Sequence, residues 1–234
     1  MDLSGKYAVV TGVSKGIGYQ IAMQLLEKGV VVIGWGRSHP DLYHDNFQFF
    51  PCDVSDEDAV EQAYRLTVDK YGEDIRIVVN NAGLGISSPI EKMTSEQWRS
   101  MYDTNVHGLF YVSKRFIKNM KQKGEGHIVN ISSIAGLNGV KNFAGYSGSK
   151  HAVRGISHSM YMELREYGIK VTAIYPGSVN TNFFDAIEGT DANENMMRAE
   201  DVATTVIQTL ETHPNYFVAD VECRPLMPKG KKSS

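Results

Sequence analysis

The chain has 234 residues, of which 42% are hydrophobic and 22% charged, and its formal net charge is −3. This length suits one large α/β domain or two small ones. The nearly balanced charge excludes a general attraction to nucleic acid or to an anionic membrane. Cys52 and Cys223 are too few and too far apart for a disulfide framework. No apolar run approaches the roughly 20 residues that span a bilayer, and a strand pattern begins within seven residues of Met1. We therefore expect a cytoplasmic protein without a membrane span or a signal peptide.

Short apolar runs bounded by turn residues alternate with amphipathic stretches along the chain. Their nearly continuous apolar character predicts strands that are buried on both faces, as in a parallel sheet. The predicted strands are residues 7–10, 30–35, 47–50, 75–80, 127–132, 170–176 and 216–220. Alternation of these strands with helices predicts an α/β fold with a doubly wound, Rossmann-like parallel sheet of about seven strands. No linker or repeat divides the chain, so we predict a single domain over residues 1–234.

Several helix starts are visible between the strands. The predicted N-caps are Ser55, with Asp58 three residues later, and Thr94, with Gln97 three residues later. Two long helices are predicted over about residues 95–123 and 146–167. The first carries apolar residues at helical spacing, which fits either the core or a subunit interface. These residues are Tyr111, Val112, Phe116, Ile117 and Met120.

The segment TGVSKGIG, residues 11–18, follows the first predicted strand and opens the first helix. Gly12 suits a tight turn, Gly16 lets the backbone approach a phosphate, and Gly18 lets the helix pack closely on the strand. A pyrophosphate would meet free N–H groups at the N-terminus of that helix. A flexible glycine turn without a ligand is the alternative, but the position after the first strand favours nucleotide binding.

Six further motifs follow in order. They are CDV (52–54), NNAG (80–83), TNVHG (104–108), NISS (130–133), YSGSK (146–150) and YPGSVNT (175–181). Together with the glycine segment they resemble the short-chain dehydrogenase/reductase family over roughly residues 5–182. The resemblance implies an oxidoreductase that transfers a hydride between a nicotinamide cofactor and a carbonyl or secondary alcohol substrate.

The resemblance also implies a catalytic tetrad, which consists of Asn105, Ser133, Tyr146 and Lys150. Tyr146 would be the general acid in reduction and the base in oxidation. Lys150 lies four residues later on the same helix face, and its ammonium is expected to lower the tyrosine pKa from the ordinary value of about 10. Ser133 would polarise the substrate oxygen, and Asn105 would hold a water in line with Lys150. The neighbouring Ser132 is expected to point to the opposite face.

Cofactor contacts follow from the same resemblance. Asp53 would bind the adenine amino group, and Asn81 and Gly83 would border the ribose. Thr181 would contact the nicotinamide carboxamide, although an N-cap role fits it equally well. The full predicted set is Gly12, Ser14, Lys15, Gly16, Ile17, Gly18, Arg37, Asp53, Val54, Asn81, Ala82, Gly83, Tyr146, Lys150, Pro176, Gly177, Val179 and Thr181.

Gly36 and Arg37, the two residues that follow the second predicted strand, favour NADP over NAD. Gly36 stands where members of the family that use NAD usually carry an acid, and a glycine cannot accept hydrogen bonds from the ribose 2′-hydroxyl. Arg37 can bind a 2′-phosphate through its planar fork of donors, and Lys15 adds a second positive charge nearby. The alternative is that Arg37 and Lys15 are ordinary surface cations.

The substrate loop is predicted at about residues 181–198, and a short flexible tail at about 228–234. The loop contains Phe183, Phe184 and Met196 beside acidic residues. The residues expected opposite are Leu84, Ile134, Leu137, Asn138 and Phe143. An apolar lining with an acidic rim favours a ketone, aldehyde or secondary alcohol with an apolar body.

Other functions remain open at this point. The alternative within the family is a 3-oxoacyl-(acyl-carrier-protein) reductase, but the ending YFVADVECRPLMPKG lacks the Asp-Gly-Gly or Asn-Gly-Gly stretch usual there. That ending resembles broad-range NADP-dependent hydroxy-acid and alcohol dehydrogenases. A non-catalytic dinucleotide sensor is a remote alternative, since it would not need the complete tetrad. We predict no metal, because the seven histidines form no His-x-x-x-His pair. We expect a homodimer or homotetramer assembled through the two long helices.

Overall fold

The computed structural model describes residues 2–181, residue 193 and residues 195–228. In this part of the chain the strands are β1 (Tyr7–Thr11), β2 (Val31–Gly36), β3 (Phe47–Pro51), β4 (Ile75–Asn80), β5 (Gly126–Ile131), β6 (Ile169–Pro176), β7 (Val179–Asn180), β8 (Met197–Arg198) and β9 (Asp220–Cys223). The helices are α1 (Gly16–Glu27), α2 (Glu57–Tyr71), α3 (Ser95–Tyr102), α4 (Gly108–Lys123), α5 (Ala144–Leu164) and α6 (Ala199–Leu210).

Seven strands form one parallel sheet in the order β3-β2-β1-β4-β5-β6-β9. This confirms the predicted α/β fold, with its doubly wound parallel sheet in a single domain. The short strands β7 and β8 form a separate parallel pair that the sequence pattern did not predict. The carboxyl ends of parallel strands lie at one edge of the sheet, and the chain winds outward in both directions from β1 and β4. Ligands of such folds bind at that switch point.

Both faces of the sheet are buried, which explains the continuous apolar runs. On β1, Val10 belongs to a core cluster that includes Ile21 of α1 and Val206 of α6. Its neighbour Val9 faces the other side and belongs to a cluster that includes Phe116 of α4. Successive strand residues point to opposite faces, so a sheet covered by helices on both sides needs apolar residues at nearly every position.

One predicted helix start is confirmed and the other is wrong. The Thr94 side chain accepts a hydrogen bond from Gln97 N (3.2 Å), and the Gln97 side chain accepts one from Thr94 N (3.0 Å), which is a complete capping box. The N-cap of α2 is Asp56 instead of Ser55. The reason is that the backbone N–H and the hydroxyl of Ser55 both donate to Asp53 Oδ1.

The long helix predicted over residues 95–123 is interrupted. Residues Asp103–His107 form a π-helical turn between α3 and α4. Such turns interrupt α-helices at functional sites often enough to be informative, and this one carries Asn105. The apolar positions of α4 belong mainly to the core, since Val112, Phe116 and Met120 are buried.

The last strand lies later in the chain than predicted. The predicted strand covered residues 216–220, whereas β9 begins at Asp220 and pairs with β6. Two carbonyl groups before it, those of Tyr216 and Val218, accept hydrogen bonds from side chains instead. Tyr216 O accepts from Lys170 Nζ (2.7 Å) and Val218 O accepts from Thr172 Oγ1 (2.7 Å), so this stretch is held by side chains.

Candidate active site

The glycine segment forms a tight turn between β1 and α1. Gly12 has a φ of 71°, in the left-handed region that favours glycine. A Cβ on Gly18 would lie only 2.3 Å from both Asn81 Nδ2 and Gly12 O, so any larger residue there would displace the turn. The N-cap residue of α1 is Lys15, whose side chain does not cap the helix. The N–H groups of the first turn of α1 are therefore suited to an anionic ligand.

Thr11 and Asn81 join this turn to the end of β4. Thr11 Oγ1 accepts from the backbone N–H groups of Asn81 and Ala82 (3.0 Å each). Asn81 Nδ2 donates to Thr11 O (3.0 Å) and Gly12 O (3.2 Å). The side chain of Asn81 thus holds the glycine turn in place. Sequence reasoning gave Thr11 no role, although a polar residue at the end of an apolar strand was a usable signal.

The end of β2 lies against the same turn. Ser14 Oγ donates to Ser38 O (2.9 Å), and a Cβ on Gly36 would lie 3.5 Å from Ser14 Oγ. Arg37 and Lys15 are both exposed, and in the described ranges neither side chain forms an ion pair. The structure therefore brings two available cations to the edge where the sequence predicts a 2′-phosphate.

Asp53 and Val54 lie at the end of the third strand, as the motif predicted. One carboxylate oxygen of Asp53 accepts from the backbone and hydroxyl of Ser55 (3.0 and 2.7 Å). Val54 is buried, and a Cβ on Gly108 would lie 2.9 Å from a Val54 methyl group. Gly108 therefore lets α4 pack directly on this part of the predicted adenine site.

The start of α5 brings together three members of the predicted tetrad. The Ser133 side chain lies near the Tyr146 hydroxyl, close enough to lower the pKa of the tyrosine. Lys150 follows one turn later, and its Nζ lies 5.8 Å from the centroid of the Tyr146 ring. Lys150 Nζ donates to Ile131 O (2.9 Å), just before the serines. Ser133 Oγ lies 3.5 Å from Pro176 O, which connects it to the last of the motifs.

Burial controls the ionisation of these groups. Desolvation raises the pKa of Tyr146 to about 12, although the Ser133 hydroxyl acts in the opposite direction. Desolvation also lowers the pKa of Lys150 to about 8. The expectation that the ammonium would lower the tyrosine pKa is wrong, because the pKa of Tyr146 is raised. The reason is that removing both groups from water disfavours their charged forms, and this effect is the larger one.

Asn105 joins three parts of the site from the π-helical turn. Its Oδ1 accepts from Leu84 N (2.8 Å), and its Nδ2 donates to Leu84 O (2.8 Å) and Ser149 Oγ (2.9 Å). Ser149 in turn donates to Tyr146 O (2.8 Å). The side chain of Asn105 therefore fixes the loop after β4 against α5. Ser149 was missed as a site residue, although it lies within the YSGSK motif.

Ser132 contacts a different partner from Ser133, as the alternation of an extended segment predicts. Its Oγ donates to Lys150 O (3.1 Å). A Cβ on Gly136 would lie 2.6 Å from Lys150 O and 2.7 Å from Ser132 Oγ. Ser132 therefore holds the backbone of Lys150, a positioning role that the sequence did not suggest.

The last motif closes the site from the side of β6. Gly177 N donates to Cys223 O (2.7 Å), and Val179 is buried. The Thr181 methyl carbon lies 3.4 Å from the place where a Cβ of Gly16 would stand. Motifs from both ends of the chain therefore meet at one edge of the sheet. Within the predicted substrate loop, residues 182–192 and 194, which include Phe183 and Phe184, lie outside the described residues, whereas Met197 and Arg198 form β8.

Two general findings concern the described residues. None of the helices in this part of the chain is long and apolar enough to cross a membrane. Likewise, no three His, Cys, Asp or Glu side chains in the described ranges are grouped in a way that would hold a metal ion.

Comparison with known proteins shows the family to which the chain belongs. The family model described as short chain dehydrogenase matches residues 6–192. An uncharacterised oxidoreductase from Staphylococcus aureus (strain USA300) is 33% identical over 231 residues, covering 96% of this chain and 99% of the relative. Another from Staphylococcus haemolyticus (strain JCSC1435) is 34% identical over 232 residues, with the same coverage. The chain belongs to the short-chain dehydrogenase family of oxidoreductases.

Solved structures show the same fold. The closed form of serine dehydrogenase, complexed with NADP+, has a TM-score of 0.89 and 28% identity, covering 97% of this chain and 98% of that one. ElxO with NADP bound has a TM-score of 0.84 and 28% identity, covering 93% and 97%. An alcohol dehydrogenase from Thermococcus sibiricus, complexed with 5-hydroxy-NADP, has a TM-score of 0.87 at 24% identity. At that identity the likeness concerns the fold alone.

Proposed function

We propose that this protein is an NADP(H)-dependent oxidoreductase that interconverts a carbonyl compound and a secondary alcohol. The observation that carries the proposal is the position of Tyr146, with the Ser133 hydroxyl close enough to lower its pKa and with Lys150 one helical turn later. This group stands at the carboxyl edge of the sheet, beside the glycine turn. A proton donor, a polarising hydroxyl and a cation at one place are what the reduction of a carbonyl requires.

The residues around the glycine turn fit a dinucleotide. The close packing at Gly18 and the uncapped first turn of α1 suit a pyrophosphate. The exposed Arg37 and Lys15, with Gly36 in place of an acid, suit a 2′-phosphate. Serine dehydrogenase and ElxO, each 28% identical to this chain, were solved with NADP+ and NADP respectively, which supports NADP over NAD. The bound cofactor would supply or accept the hydride.

Residues of the chain itself would supply the proton in reduction and accept it in oxidation. In the reducing direction, the Tyr146 hydroxyl donates its proton to the substrate oxygen. Burial keeps this hydroxyl protonated, since it raises the tyrosine pKa to about 12. Ser133, whose hydroxyl lies near that of Tyr146, orients the substrate oxygen and polarises it. Lys150 places a positive charge near the phenolate that forms, and this charge is present at pH values below about 8.

The proposal can be tested by binding and by turnover. Quenching of the intrinsic tryptophan fluorescence by NADPH and by NADH measures the two affinities. Loss of NADPH absorbance with a panel of ketones and aldehydes then measures turnover. We expect tighter binding of NADPH and turnover of at least one carbonyl compound. NADPH binding with no turnover across a wide panel would instead support a dinucleotide sensor.

A further inference from the structure

A third apolar cluster, distinct from the two that cover the sheet, surrounds the catalytic tyrosine. Tyr146 packs with the buried Met101 and Ala135. Four partly buried residues complete the cluster, and these are Leu84, Ile86, Met93 and Phe143. Because the tyrosine hydroxyl is the proposed proton donor, these four partly exposed side chains are the surfaces that a substrate would meet beside it.

Two chain segments form the walls of this cluster, and they are fastened together. The first wall follows β4 (residues 84–93) and the second precedes α5 (residues 137–143). Ser88 N in the first wall donates to Asn142 O in the second (2.7 Å). Val140 N in the second wall donates to Ser147 Oγ of α5 (3.3 Å). The walls therefore have a fixed position relative to Tyr146 before any substrate binds.

The cluster around the tyrosine includes one aromatic ring and two thioethers. The Phe143 ring lies 6.1 Å from the Tyr146 ring at an interplanar angle of 65°. A Cβ on Gly145 would lie 2.4 Å from Met101 Cε and 3.1 Å from Met93 Sδ. Methionine adapts to irregular apolar shapes, and its sulfur packs favourably against rings. This surface suits a substrate with an apolar, ring-bearing body.

Among the described residues around the site, few cationic side chains are available to pair with a substrate carboxylate. The buried cation of the site, Lys150, already donates to Ile131 O. In the walls, Lys92 and Lys141 are exposed to solvent. The sequence has no lysine or arginine between Gly177 and Arg198. The guanidinium of Arg198 is paired with the carboxylate of Asp201 (2.7 Å).

A carboxylate brought against Met93 and Phe143 would therefore lose its hydration without gaining a bidentate partner. Burying a charge without such compensation is costly. We propose that the site selects neutral ketones and secondary alcohols with a ring-bearing apolar body, and that it discriminates against the corresponding hydroxy acids. This inference rests on the proposed function and names its substrate class.

The test compares two substrates that differ in charge and in one methyl group. Methyl 3-hydroxy-3-phenylpropanoate and its free acid present the same alcohol and the same ring. With NADP+ as the oxidant, we expect kcat/KM to be at least about 100-fold higher for the ester than for the acid, in line with the penalty for an uncompensated buried charge. Equal or better turnover of the acid would overturn the inference while leaving the proposed function intact.

Variants of the wall residues test whether the walls determine the preference for the ester. Phe143→Ala and Met93→Ala should each lower kcat/KM for the ester at least about tenfold, chiefly through KM, because each removes a large buried apolar contact. The dissociation constant for NADPH should not change, which also shows that the variants fold. Ile90→Ala is the matched control, since this wall residue is 61% exposed. If the wall variants behave like the control, the inference is wrong. If neither the ester nor any neutral ketone is turned over, the proposed function fails together with it.

Discussion

Lys150 Nζ lies 5.8 Å from the centroid of the Tyr146 ring, one helical turn away, yet their pKa values do not shift as a simple ion pair would require. Burial raises the pKa of Tyr146 to about 12 and lowers that of Lys150 to about 8. The pair therefore consists of a neutral acid beside a cation that loses its proton more readily than an ordinary lysine. This is the protonation state that carbonyl reduction needs at the start of the reaction.

The first prediction concerns the proton donor. Tyr146→Phe should lower turnover by about 10²–10⁴-fold, the usual range for removal of general acid catalysis. The ring and its packing remain, so NADPH affinity should stay within about threefold, below the fivefold that 1 kcal/mol represents. NADPH oxidation with a carbonyl substrate measures the first quantity, and fluorescence quenching measures the second.

Tyr175→Phe is the matched control for that experiment. Tyr175 is also buried, but its hydroxyl donates to Asp220 (2.8 Å), away from the tetrad. The control should keep turnover close to that of the unmodified protein. Near-normal turnover of Tyr146→Phe would remove Tyr146 from the mechanism.

The second prediction concerns the cofactor phosphate. Arg37→Asp should raise the dissociation constant for NADPH by about 10- to 100-fold, because it removes a charge-assisted contact and adds a repulsive charge. The constant for NADH should change much less. Arg65→Asp, on an exposed arginine of α2, serves as the control. Equal effects of Arg37→Asp on the two cofactors would contradict the assignment of Arg37 to the 2′-phosphate.

The third prediction separates two glycines by their surroundings. Gly18→Ala places a Cβ 2.3 Å from Gly12 O, so it should lower the free energy of unfolding by about 1–3 kcal/mol, the usual cost of overpacking, and weaken NADPH binding. Gly155→Ala, in open space on α5, should instead raise the free energy of unfolding by about 0.5–1 kcal/mol. Urea titration measures both. Similar stability changes in the two variants would show that the packing at Gly18 is not tight.

The fourth prediction concerns pH and the lysine. From about pH 8 up to its ordinary pKa of 10.5, Lys150 has lost its proton in the folded state but keeps it in the unfolded state. Stability rises with pH wherever the unfolded state binds more protons. The unmodified protein should therefore gain stability relative to Lys150→Met as the pH rises from about 8 towards 10. Urea unfolding at several pH values measures this difference, and a constant difference would show that the lysine pKa is not lowered.

The sequence predicted the sheet and the position of the site well. Apolar runs and ordered motifs report directly on strand burial and on which strand ends meet. Six of the seven strands of the main sheet were therefore located correctly, whereas the last strand was placed too early. The glycine turn was predicted for the right reason, since the close approach at Gly18 is a local property of the turn.

Features that depend on tertiary contacts were not predictable. The apolar residues around the π-helical turn follow the spacing of an ordinary α-helix, so the sequence pattern does not reveal the turn. The turn is accompanied by the hydrogen bonds between Asn105 and Leu84. The choice of Asp56 over Ser55 as N-cap depended on a third residue, Asp53. The tyrosine pKa depended on burial, which no motif reports. The predicted homodimer or homotetramer, the cytoplasmic location and the flexible tail stay predictions.

The most direct test of the central claim is hydride transfer itself. NADPH deuterated at the 4R or the 4S position of the nicotinamide is incubated with a neutral aryl ketone, and the alcohol is examined by mass spectrometry. The account predicts that one of the two labels appears on the carbinol carbon with the unmodified protein, and that Tyr146→Phe forms very little labelled alcohol in the same time. Tight NADPH binding with no transfer of either label would contradict it.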